Sequence, residues 1–575
     1  MNRRKLAAIV GLAGLGLYRF RRPLIGRLLR LTPPRYPVAV ERNLKVMMPD
    51  GVILLADHYM PQARGSFPTV LIRSPYARGL EKPLFGYQFV FLAQRFAERG
   101  YHVVVQGTRG RFDSEGEFDP FVNEPADGRA TIEWIARQAW FNGNLGMWGP
   151  SYLGFVQWAV AADAPPALKA LVPGIITSRG HALVYPDGAF ALDTALRWIF
   201  LLDTMDRPAW QGIPRLIRQE RILAPAFQHL PLVEADMAAL GKPVPFYREW
   251  LSHPEPDDRF WQRIDHSAGM ERITAPIHLI GGWYDMFLRD MLADYAALRA
   301  AGHAPYLTIG PWSHLASELA LEMLRQGIAW FDAHLKGDRS RLRKQPVRVF
   351  VMGADEWREM EDWPPPARET RYFLCGEGRL STEGPASAPS ADHYRYDPAD
   401  ATPVIGGALF NPQAGPRDNR PLEARPDVLC YTTPPLPADV EVIGPVRLEL
   451  FVRSSQAHTD FVGRLCDVHP DGRSMNVCDG LFRVTPGKGE RQPDGSLRIE
   501  IDMWATAHRF LRGHRIRLQV TSAAHPRWNR NLGTGEPIGA GTNMVAAVQT
   551  IYHDDSHPSA LVLTDSPVRH SPPGQ

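Results

Sequence analysis

The chain has 575 residues, with 65 Lys and Arg against 62 Asp and Glu, a formal net charge of +3 and 44% apolar side chains. That length exceeds one hydrophobic core and points to about three units of roughly 100–200 residues, large enough to need no covalent staples. So small a charge excess excludes an electrostatic case for nucleic acid, and four cysteines without CxxC spacing or paired histidines nearby indicate neither a disulfide framework nor a zinc site.

The positive excess is local. Arg3, Arg4, Lys5, Arg19, Arg21, Arg22, Arg27 and Arg30 surround an apolar run over residues 6–17, shorter than the ~20 residues of a spanning helix. The run has the length of a signal-peptide core, but strong charge follows it and no small-residue cleavage site stands out. Residues 1–35 are therefore expected to be a leader, either a basic interfacial anchor on the cytoplasmic face or a disordered basic tail. The expected location is cytoplasmic, with membrane association through residues 1–34.

From residue 69 strand and helix signals alternate. Residues 69–74 read as a strand ending in a proline-stiffened turn at Pro75 and Tyr76. Residues 100–107 carry Val103, Val104 and Val105, a β-branched run of the kind buried in parallel sheets. A helix over 127–136 is predicted behind an Asp127 cap, ending before a turn at Asn142-Gly143. Residues 144–150 are strand again, and lead through Ser151 into a helical pattern. This order is the βαβ logic of an α/β domain.

Ser151 has the local chemistry of a nucleophile elbow. A serine hydroxyl is a poor nucleophile at neutral pH, so it must be exposed on a sharp turn beside a base, and Gly149 and Gly154 supply missing side chains around it. Taken alone, the same residues fit an ordinary surface turn. An elbow demands an acid and then a histidine further along, each leaving a later strand. Residues 276–285 form an apolar strand opening through Gly281-Gly282 to Asp285, and residues 306–314 repeat the device to deliver His314. Asp285 by itself reads as a helix cap, and His314 is one of 19 histidines; their joint order gives them roles. His314 becomes the base and Asp285 the group that fixes its tautomer. The backbone N–H of Tyr152 is the first expected oxyanion donor, and the Tyr76 phenol, after another strand that ends in a proline-rigid turn, is the candidate second.

Between residues 180 and 271 the α/β rhythm breaks into aromatic, helix-forming segments, in the place of a lid. Trp198, Phe200 and Trp283 are the candidate substrate-pocket residues, with Trp250 a further lid aromatic; the same spacing also fits packing. Residues 355–358 and 362–366 read as a proline-stiffened linker. Beyond it come a loop-like excursion at 383–390 and short strands such as 440–444, 446–452 and 516–520, the texture of a β-sandwich. No phosphate loop or dinucleotide fingerprint is present, so neither cofactor nor metal is expected.

Several motifs together resemble the α/β-hydrolases of the cocaine esterase type (CocE/NonD), related to Xaa-Pro dipeptidyl-peptidases and α-amino acid ester hydrolases. They are residues 73–76, 107–116 and 142–147, the elbow as Gly-x-Ser-Tyr-x-Gly, residues 281–285 and 310–314, and the segment 330–337. The likeness covers nearly everything after residue 38. It implies an α/β-hydrolase catalytic domain over 36–345, a helical lid at about 181–270, and a C-terminal β-sandwich of jelly-roll type over 346–575. By this resemblance Ser151, Asp285 and His314 match the triad, and Tyr76 takes the tyrosine-hydroxyl donor role. Arg109, Arg111, Asp113 and Glu115 read as ion-paired structural residues. The expected function is a cofactor-independent serine hydrolase that cleaves carboxylic esters, with amides as the wider class, through an acyl-enzyme; a small ester is the favoured substrate. One rival is an Xaa-Pro dipeptidyl-peptidase, which needs acidic groups for a free α-amine; Asp187 and Asp193 in the lid are the nearest candidates. Acyl transfer on the same triad is another. A non-catalytic protein binding through its β-sandwich is the third, and the intact triad order speaks against it. Homo-oligomerisation is left open.

Overall fold

The computed structural model describes residues 22–79, 81–385, 388 and 390–565, so the apolar run at 6–17 lies outside the described residues. None of the described helices is long and apolar enough to cross a membrane. The chain forms two compact units. One contains the chain up to Gly174 with Arg272–Ile277 and Ala320–Leu342; the other contains Ile175–Glu271, His278–Leu319 and everything from Arg343.

The first unit is built on β1 (Val38–Met47), β2 (Ile53–Pro61), β3 (Thr69–Ser74), β4 (His102–Gly107), β5 (Leu145–Pro150) and β6 (Leu168–Gly174), in the spatial order β1-β2-β4-β3-β5-β6. The first two pair antiparallel and add antiparallel to β4; β3 runs parallel to both β4 and β5, and β5 parallel to β6. Every residue of β3 and β4 is buried, which is why their centres, Val70–Ile72 and Val103–Val105, read as apolar runs without alternation. Helices α1 (Pro83–Ala97), α2 (Glu124–Ala136) and α3 (Tyr152–Ala161) connect them. The second helix begins earlier than the Asp127 cap predicts, because Pro125 sits in its first turn with φ already preset. Asp127 therefore lies inside the helix and binds Arg109 Nη2 at 2.6 Å.

In the second unit, α4 (Leu192–Asp206), α5 (Ala209–Ile217), α6 (Gln219–Gln228), α7 (Ala235–Leu240) and α8 (Pro245–Ser252) fill the predicted lid region. Next come β7 (His278–Tyr284), α9 (Leu288–Ala300), β8 (Tyr306–Ser313) and β9 (Val347–Val351), with the three strands parallel. Residues 355–358 are not a linker: Glu356–Met360 forms β10, antiparallel to β9. Trp357 makes this segment a strand, pairing across from Phe350 and packing its ring under the Arg348 guanidinium at 4.4 Å.

The rest of the unit is β-rich, as expected. Its strands are β11 (Arg368–Cys375), β12 (Arg379–Ser381), β13 (Ala391–Tyr396), β14 (Leu429–Thr432), β15 (Val440–Ser454), β16 (Thr459–Val468), β17 (Ser474–Val484), β18 (Glu490–Arg491), β19 (Leu497–Phe510), β20 (Arg515–Thr521), β21 (Ala547–Tyr552) and β22 (Ala560–Asp565). They pair in the order β13-β21-β15-β22-β11-β12-β14-β20-β16-β17, while β19 also pairs with β15. The two strands expected at 440–444 and 446–452 are one, β15, whose register shifts between Pro445 and Arg447. Proline has no N–H for the ladder, and a bulge absorbs the defect without ending the strand.

Candidate active site

Ser151 sits between β5 and α3 with φ 55° and ψ −128°, a conformation that non-glycine residues adopt only when their surroundings force it. Three bonds do the forcing. Ser151 N–H donates to Gly174 O at 2.8 Å, tying the turn to the end of β6, and Ser151 O accepts from the N–H groups of Gly154 (2.7 Å) and Phe155 (3.0 Å). Gly149 is needed because a Cβ there would stand 2.3 Å from Leu153 Cβ. The result is an elbow that holds the hydroxyl at the carboxyl end of a parallel strand, partly exposed.

Beneath the elbow lies a polar network that the sequence reading missed. The Tyr152 phenol donates to Glu124 Oε1 at 2.8 Å and accepts the Phe121 N–H at 2.9 Å, while its ring stacks on Phe121 at 4.8 Å. Glu124 Oε2 in turn takes Arg73 Nη1 at 2.6 Å, and Arg73 Nε reaches Gln106 Oε1 at 2.8 Å, shared with Thr131 Oγ1. Burial pushes the Glu124 carboxyl up, with Arg73 opposing; burial and then the Glu124 charge push the Tyr152 phenol far above its usual value, so it remains a donor. With its side chain clamped from below, Tyr152 presents its backbone N–H at the start of α3 in a fixed direction. One signal was available: Arg73 is the one charged residue of β3, a strand buried along its whole length.

Tyr76 follows the end of β3, which neighbours β5. Its N–H donates to Ser74 Oγ at 3.0 Å, Arg111 Nε holds the preceding Pro75 O at 3.0 Å, and its ring stands edge-on to Tyr152 at 6.5 Å. In the neighbouring loop Arg109 and Asp113 are ion-paired as expected, Arg109 with Asp127 and Asp50 and Asp113 at 3.7 Å from Arg78, while Glu115 accepts the Ile53 backbone N–H. The first unit thus gathers Ser151, Tyr152 and Tyr76.

Within the second unit Asp285 and His314 meet at the carboxyl ends of β7 and β8. His314 Nδ1 lies 2.6 Å from Asp285 Oδ2, and Asp285 Oδ1 accepts Phe287 N–H at 2.9 Å. Both carboxylate oxygens are therefore engaged, one as the turn-closing acceptor that its position before α9 predicts, the other on the imidazole. Both residues are buried. A hydrogen on Nδ1 shared with the carboxylate leaves Nε2 as the basic nitrogen. Phe287 and Phe410 flank the imidazole edge-on, at 5.6 and 5.3 Å. Gly282 permits the two strand ends to close, since a Cβ there would lie 2.2 Å from Trp312 O.

The candidate pocket aromatics are all packed against neighbours. Trp198 stacks on Trp250 at 6.0 Å, Phe200 lies under the Arg215 guanidinium at 4.8 Å, and Trp283 donates Nε1–H to Phe350 O at 2.7 Å. A cavity of about 700 Å³ in the second unit is lined by other residues, among them Arg179, His181, Asp187, Arg289, Arg483 and Lys488. Of the lid acids, Asp193 takes Arg197 Nε (2.5 Å), Phe410 N–H (3.0 Å) and Asn411 Nδ2 (3.4 Å). Asp187 is paired with Arg289 and accepts Trp504 Nε1–H at 3.2 Å; burial raises its carboxyl to about 6.

An elbow followed in the chain by an acid and then a base, each at the end of a successive parallel strand, defines a serine hydrolase on the α/β-hydrolase fold. Comparison with known proteins narrows this. Residues 50–316 match the X-Pro dipeptidyl-peptidase (S15 family) model, and residues 342–562 match the X-Pro dipeptidyl-peptidase C-terminal non-catalytic domain. Cocaine esterase from Rhodococcus sp. is 37% identical over 571 residues, covering 91% of this chain and 98% of that protein. Among solved structures, an aminopeptidase from a marine sediment Thaumarchaeota archaeon superposes with a TM-score of 0.80 at 23% identity, covering 92% of this chain and 97% of the other. An α-amino acid ester hydrolase superposes with a TM-score of 0.77 at 22% identity and the same coverage. The chain belongs to the cocaine esterase-type (CocE/NonD) family of serine hydrolases.

Proposed function

We propose that Ser151, His314 and Asp285 act as one catalytic triad, with Tyr76 and the Tyr152 N–H as oxyanion donors, and that the protein hydrolyses carboxylic esters through an acyl-enzyme. The observation that carries the reading is the backbone of Ser151, a positive-φ serine on the sharp turn between a buried parallel strand and a helix, the placement that a nucleophile elbow requires. His314 Nε2 takes the Ser151 proton as Oγ attacks the ester carbonyl, and Asp285 stabilises the imidazolium that forms. The developing oxyanion is held by the Tyr76 hydroxyl and the Tyr152 amide. His314 then returns the proton to the departing alcohol, and water repeats the sequence on the acyl-enzyme.

A small ester is favoured over an Xaa-Pro peptide because both candidate lid acids, Asp187 and Asp193, already hold arginines. The test compares kcat/KM for a short-chain aryl ester and an Xaa-Pro anilide, with Ser151→Ala as the blank. Ester turnover alone is expected; anilide turnover at comparable rate would make the protein a peptidase. The basic leader is the proposed membrane-surface anchor. Deleting residues 1–34 is expected to move the protein from the membrane to the soluble fraction, and an unchanged partition refutes the anchor.

A further inference from the structure

We propose that Asp467, His469 and His514 bind one divalent transition-metal ion of the zinc type, a site in the β-rich part of the second unit. The ligand atoms of these side chains lie within 4.8 Å of one another. Strand pairing assembles them from distant parts of the sequence, which is why cysteine and histidine spacing gave no sign of a metal. Asp467 is the last residue but one of β16 and His469 the first residue after the strand; the strand's alternation, carried one residue further, puts their side chains on the same face. β16 pairs antiparallel with β20 and sets Val468 opposite Arg515. His514, the residue before Arg515, therefore falls opposite His469, and the two imidazoles stand 4.5 Å apart between ring centres. The carboxylate reaches both: Asp467 Oδ1 is 2.8 Å from His514 Nδ1, and Asp467 Oδ2 is 4.0 Å from His469 Nε2.

Two imidazole nitrogens and one carboxylate oxygen are a donor set that zinc and its first-row neighbours accept, at metal–ligand distances of about 2.0–2.2 Å. Donors on one tetrahedral ion lie roughly 3.3 Å apart, so His514 and Asp467 are nearly spaced for it and His469 must close by roughly 1 Å. It has the freedom to do so. The backbone turn after β16 is fixed by His469 N–H to Arg473 O and Gly472 N–H to His469 O, at 2.8 and 2.9 Å. The His469 side chain, in contrast, is 28% exposed, against 4% for Asp467. That opening gives an ion its route in and leaves room for a water as fourth ligand. Asp467 also has the outer partner that ligating carboxylates carry, since His508 Nε2 lies 3.0 Å from its Oδ2. Bound there, the ion fastens the β16–β17 turn to the start of β20. The competing reading is a hydrogen-bonded His–Asp–His cluster with no affinity for metal.

The experiment uses the full chain, stripped with a chelator and titrated with Co²⁺. The site predicts one equivalent per chain, visible d–d bands of a tetrahedral ion, displacement by Zn²⁺, and a Tm that rises with Zn²⁺. His469→Ala, a substitution at an accessible turn, is expected to leave ester turnover unchanged, weaken binding by roughly tenfold or more, and remove the Tm response. His469→Gln should do the same while keeping polarity and bulk, and circular dichroism checks that both variants are folded. A wild-type protein that binds no stoichiometric Co²⁺ overturns the site, as does a band that survives in both folded variants.

Discussion

Replacing Tyr76 by Phe isolates one hydroxyl from everything else in the site. The tyrosine is positioned by its backbone, through the Ser74 Oγ bond at 3.0 Å and the Arg111 contact to Pro75 O, and by its edge-on packing against Tyr152. Phenylalanine keeps all three, so the ring stays in place and stability is expected to move by less than about 1 kcal/mol. In the proposed mechanism, what disappears is a donor aimed at a charge that forms only in the transition state. Loss of one such donor costs about 3–4 kcal/mol, which lowers kcat by about 10²- to 10³-fold and leaves KM nearly unchanged. Residual turnover should remain well above that of Ser151→Ala, because the Tyr152 amide still holds the oxyanion. Steady-state kinetics on a short-chain aryl ester, with Tm measured on the same samples, decides it. A kcat within threefold of wild type removes Tyr76 from the mechanism, and a loss matched by a large fall in Tm assigns it to structure.

Other substitutions test the remaining parts. Ser151→Ala should abolish turnover and labelling by a fluorophosphonate; persistent labelling would place the nucleophile elsewhere. Asp285→Asn should cost on the order of 10⁴ in kcat with little change in KM, because an amide no longer imposes the Nδ1–H tautomer on His314. Tyr152→Phe leaves Glu124 Oε1 and the Phe121 N–H short of a partner; at about 1–3 kcal/mol for each unmade bond, denaturant titration should show a loss of roughly 2–6 kcal/mol, and an unchanged midpoint refutes the clamp. Burial lowers His58, His102, His266, His334 and His525 to about 4 each. Between about pH 6.5 and 4 the unfolded chain then binds more protons than the folded one, so stability is expected to fall as pH drops through that window. A Tm that is flat from pH 7 to 4 contradicts this.

The elements that carry the proposed triad were legible because each rests on a local pattern. Ser151, Asp285 and His314 all follow short apolar strands ending in glycine turns, and the strands β5, β7 and β8 lie where those runs predict. Less legible were features set by partners distant in the chain. Residues 355–358 look like a polar linker until Phe350 and Arg348 of β9 give Trp357 something to pack on. Glu124 shows no sequence sign of sitting under the elbow, since Arg73 and Tyr152 reach it from other elements. Asp193, a candidate lid acid for an α-amine, is engaged by Arg197, the Phe410 N–H and the Asn411 side-chain amide, partners far from it in the chain except for Arg197.

That last connection bears on how the protein can be cut and recombined. Phe410 belongs to the stretch matched as a non-catalytic domain, but its ring covers one edge of His314 and its amide is held by Asp193 of α4. A fragment truncated before residue 346 would bare the imidazole to water on that side and take the Phe410 N–H from Asp193 Oδ2, leaving the buried carboxylate with Arg197. In a chimaera that grafts a relative's lid onto this chain, residue 193 and the segment around 410 have to be exchanged as a pair. Recombination points chosen at the sequence-family boundary would separate them.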